Sequence, residues 1–291
     1  MGLNGNGFAA STKELLVFQA DGRELFRQVQ EENGMLFDAI RSAKLSENGA
    51  YLYWLTCPSI SGSVVKRNTC KLHSLELESG TVTDYPFDVL WLGDYPAENM
   101  YDCSPDGKRA VFLSDTTVPQ LRLLQVNQTD HATWAEGSAF DELNLPTNEI
   151  LTGVEFADER RLVCTAGNVT AVVDADTLKS IWGVAEQASS RRLPQLWSDG
   201  TLVYFGSSLD FWDTSTGELL GSLSADAEAS LTRSRDGKWF VLSDASGTVL
   251  YDAETLSPVD LLSSTPLCLH FLGEDHAIYS DGCHLYQIGN P

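Results

Sequence analysis

A short polar turn followed by an apolar, β-rich run recurs along the chain, and this repeat constrains the fold more than any other feature. Ser46-Glu-Asn-Gly precedes AYLYWLT, Ser104-Pro-Asp-Gly precedes KRAVFLS, and Ala157-Asp-Glu-Arg precedes RLVCTAG. Further on, Trp197-Ser-Asp-Gly precedes TLVYFGS, Ser234-Arg-Asp-Gly precedes KWFVLSD, and Gly273-Glu-Asp-His precedes AIYSDG. This is hairpin chemistry: glycine supplies positive φ, and Asp, Asn or Ser closes the turn with its own side chain. After each such strand comes a second kind of turn: Asp21-Gly22, Ser79-Gly80, Gln128-Thr-Asp130, Asp174-Ala-Asp-Thr177, Thr214-Ser-Thr-Gly217 and Asp252-Ala-Glu-Thr255. The best-formed unit, Leu202 to Leu223, reads strand, turn, strand, turn, strand. No helical period is sustained, the nearest candidate being Glu186 to Arg192.

Strands arriving in fours about every 40 residues predict an all-β fold, a β-propeller of four-stranded antiparallel blades. The segments SPDGKRAVFLS, SRDGKWFVLSD and LDFWDTSTGELLGSL, with its Trp212-Asp213 dipeptide, resemble the WD40-like and YVTN-like propeller repeat families. That resemblance covers nearly the whole chain and implies a rigid ring that binds other proteins. With one Trp-Asp and no Gly-His opening its blades, the chain departs from the strict WD40 pattern, so that family's Asp-His tetrad is not carried over. The expected blades are 6–30, 31–87, 88–136, 137–185, 186–224, 225–264 and 265–291, one domain over 1–291. N- and C-terminal strands should lie side by side to close the ring. Six blades, with the end pieces fused, is the alternative; both ends carry a third strand, LLVFQ and HLYQI, which favours seven.

Charge then narrows the partners. With 19 basic against 41 acidic residues in 291, the formal charge is −22, which repels phosphate backbones and anionic lipid. A 43% hydrophobic content suffices for a core. The N-terminus has neither a basic n-region nor an apolar h-region, and no run approaches the roughly 18 apolar residues of a spanning helix. Cys57, Cys70, Cys103, Cys164, Cys268 and Cys283 form no CxxC pair, which predicts reduced thiols and a cytoplasmic protein, with a Cys57–Cys70 bridge as the sharper alternative. The sequons at Asn127 and Asn168 matter only in a secreted chain.

Insertions concentrate in one arc. The excess residues are Cys57–Thr69, between the second and third strands of blade two, Tyr85–Tyr101, leading into blade three, and Ala132–Glu149, leading into blade four. In a propeller these connections open on one face, and loops held by a rigid scaffold are where binding concentrates. The expected contact residues are Lys66, Arg67, Tyr85, Phe87, Trp91, Tyr95, Trp134 and Phe140, the types enriched at binding hot spots. The competing role for Phe87, Trp91 and Phe140 is inter-blade core.

Catalytic and metal signatures are missing from the sequence. His270, His276 and His284 gather near Cys268, Cys283, Asp275 and Asp281, but their spacing over successive strands argues against a metal, and no cofactor is expected. There is no GxSxG elbow, HExxH or phosphate loop. The leading expectation is a non-enzymatic protein-binding scaffold, monomeric by default. One alternative is an acidic antidote of immunity type that binds a basic toxin or nuclease. Another is a lactonase- or glycosidase-like enzyme with carboxylates at the channel mouth, favoured if two or three carboxylates converge there.

Overall fold

A computed structural model describes residues 2, 4–30, 36–60, 67–92, 97–114, 120–125, 133–134, 151–166, 169–185, 194–197, 199–205, 208–225, 229–234, 237–262, 268–272, 276–280 and 285–289. The chain forms two compact units, Met1–Ala185 and Glu186–Pro291.

In the first unit β1 (Asn6–Ala10), β2 (Glu14–Gln19) and β3 (Glu24–Val29) make a three-stranded sheet. An eight-stranded sheet follows: β4 (Leu36–Leu45), β5 (Tyr51–Ile60), β6 (Arg67–Glu76), β7 (Thr81–Leu92), β8 (Tyr101–Cys103), β9 (Arg109–Ser114), β10 (Gln120–Gln125) and β11 (Thr133–Trp134). It consists of two four-stranded meanders joined where Val89 of β7 pairs with Ser114 of β9. The unit ends with β12 (Leu151–Phe156), β13 (Arg161–Ala166), β14 (Val169–Asp174) and β15 (Ser180–Ala185).

The second unit repeats the plan. One sheet holds β16 (Gln195–Leu196), β17 (Thr201–Phe205), β18 (Leu209–Asp213) and β19 (Leu219–Leu223). The next holds β20 (Ser230–Arg233), β21 (Trp239–Asp244), β22 (Gly247–Asp252) and β23 (Pro258–Leu262), and a three-stranded sheet holds β24 (Cys268–Leu272), β25 (His276–Ser280) and β26 (Leu285–Gly289). All described pairings are antiparallel, as hairpin turns between sequential strands require. No α-helix occurs among the described residues; one 3-10 turn, Ala97–Met100, precedes β8. The Glu186–Arg192 stretch lies outside the described residues.

Burial explains the sequence pattern. Middle strands are covered on both faces, so β14 is apolar and buried from Val169 to Val173 apart from Thr170, itself buried. The outermost strand β19 faces water at Leu219 and Leu220. Tyr53, Tyr101, Phe112 and Leu162 belong to the main core of the first unit, and Leu15, Val17, Leu52 and Trp54 join its first sheet to the second. In the second unit the rings of Trp197, Phe211 and Phe240 sit 5.4–5.5 Å apart, with Tyr251 stacked on Phe240 at 5.1 Å. Such pairs contribute about 0.5–1.5 kcal/mol each beyond their burial.

The repeated turns also fasten sheets to one another. Asp106 Oδ1 accepts from Ser104 Oγ at 2.6 Å and the Lys108 amide at 3.0 Å, the turn-forming role its motif predicts. Gly107 has φ 74°, and a Cβ there would stand 2.5 Å from the Tyr51 ring; Tyr53 Oη donates to its carbonyl at 2.7 Å. Asn6 Nδ2 donates to Gly49 O (3.0 Å), Asn48 Nδ2 to Asp106 O (2.9 Å), and the Asp106 amide to Glu159 Oε1 (2.9 Å). One belt of turns thus crosses all three sheets of the first unit.

Candidate functional site

Register fixes which segments leave the eight-stranded sheet from which end. Ile60 pairs with Leu36, Arg67 with Leu92, Ser114 with both Val89 and Gln120, and Trp134 with Arg122. Segments 61–66, 93–96, 115–119 and 135–150 therefore depart from one end. The hydrogen-bonded turns at 46–50, 77–80 and 104–108 lie at the other, from which segment 126–132 also departs.

Much of the expected loop arc is strand. Cys57–Ile60 and Arg67–Thr69 extend β5 and β6, and β7 runs on to Leu92, past the expected blade end at 87. Tyr85-Pro86-Phe87 reads as a loop because proline cannot serve a regular ladder. It sits at a register shift opposite the Lys71–His73 stretch, a bulge that absorbs the proline and lets pairing resume at Asp88.

Of the eight expected contact residues, Arg67 opens β6 opposite Leu92, and Trp91 faces Asn68 across the same pair, so these two share one strand end. Phe87 lies in the bulge, and Trp134 lies on β11 opposite Arg122. Tyr85 belongs to the core: it is 6% exposed, with its hydroxyl 3.1 Å from Ser74 Oγ. Lys66, Tyr95 and Phe140 lie outside the described residues. Of the histidine and cysteine set near the C-terminus, Cys268 and His270 are on β24 and His276 opens β25, while Cys283 and His284 lie outside the described residues.

The expectation of six reduced thiols is corrected at the base of this arc. Cys57 and Cys70 are fully buried on adjacent strands with Cα atoms 4.5 Å apart and are joined as a disulfide. That spacing suits a direct cross-strand pair. Cys103 and Cys164 are free and buried, and burial pushes both thiols up, out of the reactive range.

A charged cluster that sequence reading overlooks spans three first strands. Lys44 Nζ of β4 lies 3.0 Å from Asp102 Oδ1 of β8, and Asp102 Oδ2 accepts the Phe156 amide of β12 at 2.7 Å. The Lys44 ammonium also sits 5.5 Å from the centre of the Tyr101 ring. Burial alone would lower the Lys44 pKa, but the charges of Asp102 and then Glu155 outweigh it and raise it. Glu155 of β12 is exposed in area yet deeply set among protein, and burial, then the Asp102 charge, push its carboxyl up to about 7 against the opposing pull of Lys44. A signal was available: Lys44, Asp102 and Glu155 each stand two residues before the repeated turn, at Ser46, Ser104 and Ala157.

Asp84, His73 and Thr56 form a relay across β7, β6 and β5: Asp84 Oδ1 to His73 Nδ1 at 2.7 Å, and His73 Nε2 to Thr56 Oγ1 at 2.7 Å. Its order matches an acid–base–nucleophile array. Thr56 is 4% exposed, however, and the imidazole stacks on Trp54 at 5.1 Å. The relay is a cross-strand clasp.

Comparison with protein-family models and with curated proteins finds no match. Solved structures do match. The crystal structure of BamB from Moraxella catarrhalis is similar with a TM-score of 0.58 at 15% identity, over 99% of this chain and 83% of that one. A chain of the mitotic checkpoint complex is similar with a TM-score of 0.56 at 13% identity, over 98% and 82%. With the meandering sheets, these likenesses show an all-β fold of β-propeller type.

Proposed function

We propose that the chain is a non-enzymatic protein-binding scaffold, a closed seven-bladed propeller that meets another protein with the inserted arc over blades two to four. The observation that carries this reading is the inequality of the two ends of the eight-stranded sheet. One end carries three hydrogen-bonded turns and one longer connection, 126–132, while the other gathers four strand ends from which segments 61–66, 93–96, 115–119 and 135–150 depart. The disulfide at Cys57–Cys70 stiffens the base of that arc, lowering the entropy cost of binding. Seven successive groups of three or four strands among the described residues support the blade count. One structural neighbour is a chain of a complex, which agrees with a scaffold role. A charge of −22 favours a basic partner through steering. The test replaces 61–66 and 135–149 with short Gly-Ser turns and compares affinity capture from native extract with that of the wild type. Loss of the captured protein with an unchanged melting temperature is expected; undiminished capture would refute the reading.

A second reading, an enzyme acting on a lactone or sugar, is favoured by one observation: Asp102 and Glu155 converge beside Lys44, with Glu155 poised near neutrality. Turnover of aryl glycosides or lactones between pH 5 and 8 that vanishes in Glu155→Gln would establish it; no turnover in the wild type would dismiss it.

A further inference from the structure

Two turns of the chain are built alike and end differently. Asp174 and Asp252 each accept from the amide and hydroxyl of the threonine three residues on, and each turn delivers a leucine with positive φ, Leu178 at 55° and Leu256 at 53°. Leucine adopts that conformation only where its surroundings hold it. Leu178 is 2% exposed and belongs to the core of its unit. Leu256 is only half-buried and lines a cavity of about 680 Å³ between the β16–β19 and β20–β23 sheets.

Gly221 of β19 lets the Leu256 side chain approach closely, since a Cβ there would meet Leu256 Cδ1 at 2.6 Å. Phe211, Trp239 and Leu220 complete the cavity's apolar lining, and Leu220 is 56% exposed. Leu219, Leu220, Val259 and Leu261, on β19 and β23, account for four of the seven exposed large hydrophobics among the described residues. An apolar wall open to water and continuous with an exposed apolar strand marks a binding surface.

Charge on the rim selects the occupant. Asp199 and Arg233 pair with each other, and Arg233 also donates to Gly237 O at 2.8 Å and lies 4.2 Å from the centre of the Trp197 ring, so this pair is used internally. Hydrogen bonds from Thr255 and Glu254 hold the Asp252 carboxyl below its usual range, so it is ionised at neutral pH, and Glu254 stands beside it. Outside the Asp199–Arg233 pair the lining holds two carboxylates, Asp252 and Glu254, against one cation, Lys238, on a chain of charge −22. An apolar group carried next to a positive charge fits; one carried next to a negative charge is repelled.

We infer that this cavity is a second docking pocket, for a protein segment that presents one apolar side chain flanked by lysine or arginine. It lies in a different unit from the inserted arc and does not depend on it.

The test titrates the full chain with three amidated peptides bearing the same fluorophore, Ala-Lys-Leu-Lys-Ala, Ala-Lys-Ala-Lys-Ala and Ala-Glu-Leu-Glu-Ala, read by anisotropy. The first should bind about tenfold more tightly than either of the others, the worth of one buried leucine side chain with a favourable charge. Leu220→Gln should remove the preference over the second peptide, and Glu254→Lys should weaken the first about fivefold. Both residues are exposed, so both variants keep the fold. Replacing 61–66 and 135–149 should leave the peptide preference intact, which separates failure here from failure of the arc. Absence of binding, equal binding of the three peptides, or a preference unmoved by both substitutions would overturn the proposal.

Discussion

Asp102 holds Lys44 with one carboxylate oxygen, 3.0 Å from the ammonium, and takes the Phe156 amide with the other at 2.7 Å, so a single side chain ties together β4, β8 and β12. Both side chains are well covered, at 13% and 21% exposure. Asp102→Ala leaves a covered ammonium and an amide without their acceptor, and should cost about 3 kcal/mol in urea unfolding. The double variant Lys44→Met/Asp102→Leu should be closer to wild type than the single, since the ammonium is then no longer stranded, while the Phe156 amide still lacks its acceptor. A single variant within about 0.5 kcal/mol of wild type would show that the pair is only superficial.

Glu155 makes stability depend on pH in the direction opposite to ordinary surface carboxylates. Its folded-state value of about 7 lies above the ordinary 4.5, so the folded chain holds a proton that the unfolded chain releases. The resulting stabilisation is fully present below pH 4.5 and is lost as pH rises through 7. Relative to Glu155→Gln, the wild-type melting temperature should fall between pH 5 and 8. Parallel profiles for the two proteins would contradict the assignment.

Cys57 and Cys70 should resist alkylation in denaturant without reductant, and a linked peptide spanning both should appear on digestion. Closing a loop of 13-residue separation should contribute about 3 kcal/mol, which the Cys57→Ala/Cys70→Ala variant should lose. Full alkylation of both cysteines in freshly purified protein would restore the reading of reduced thiols.

The turns were legible in the sequence because they are local: Ser104, Asp106 and Gly107 close their own hairpin with atoms a few residues apart. Sheet order followed from them. The run from Tyr85 to Leu92 was not legible as strand, since Pro86 signals a break and only the distant partner strand β6 shows that a bulge absorbs it. Lys44, Asp102 and Glu155 meet although they stand more than 50 residues apart in sequence; their shared place before each turn was visible, but only the stacking of neighbouring sheets turns that place into a cluster. Tyr85, an aromatic of hot-spot type, looked like a contact residue because composition cannot tell a ring beneath the sheet from one above it.

The most direct test of the scaffold account places a photo-crosslinking side chain at one of four positions in the full-length protein: Lys66 or Tyr95 in the inserted arc, and Glu78 or Lys108 in the tight turns. Irradiation in native extract should give the same partner adduct from positions 66 and 95 and none from 78 and 108. An adduct confined to the tight-turn positions would contradict the account.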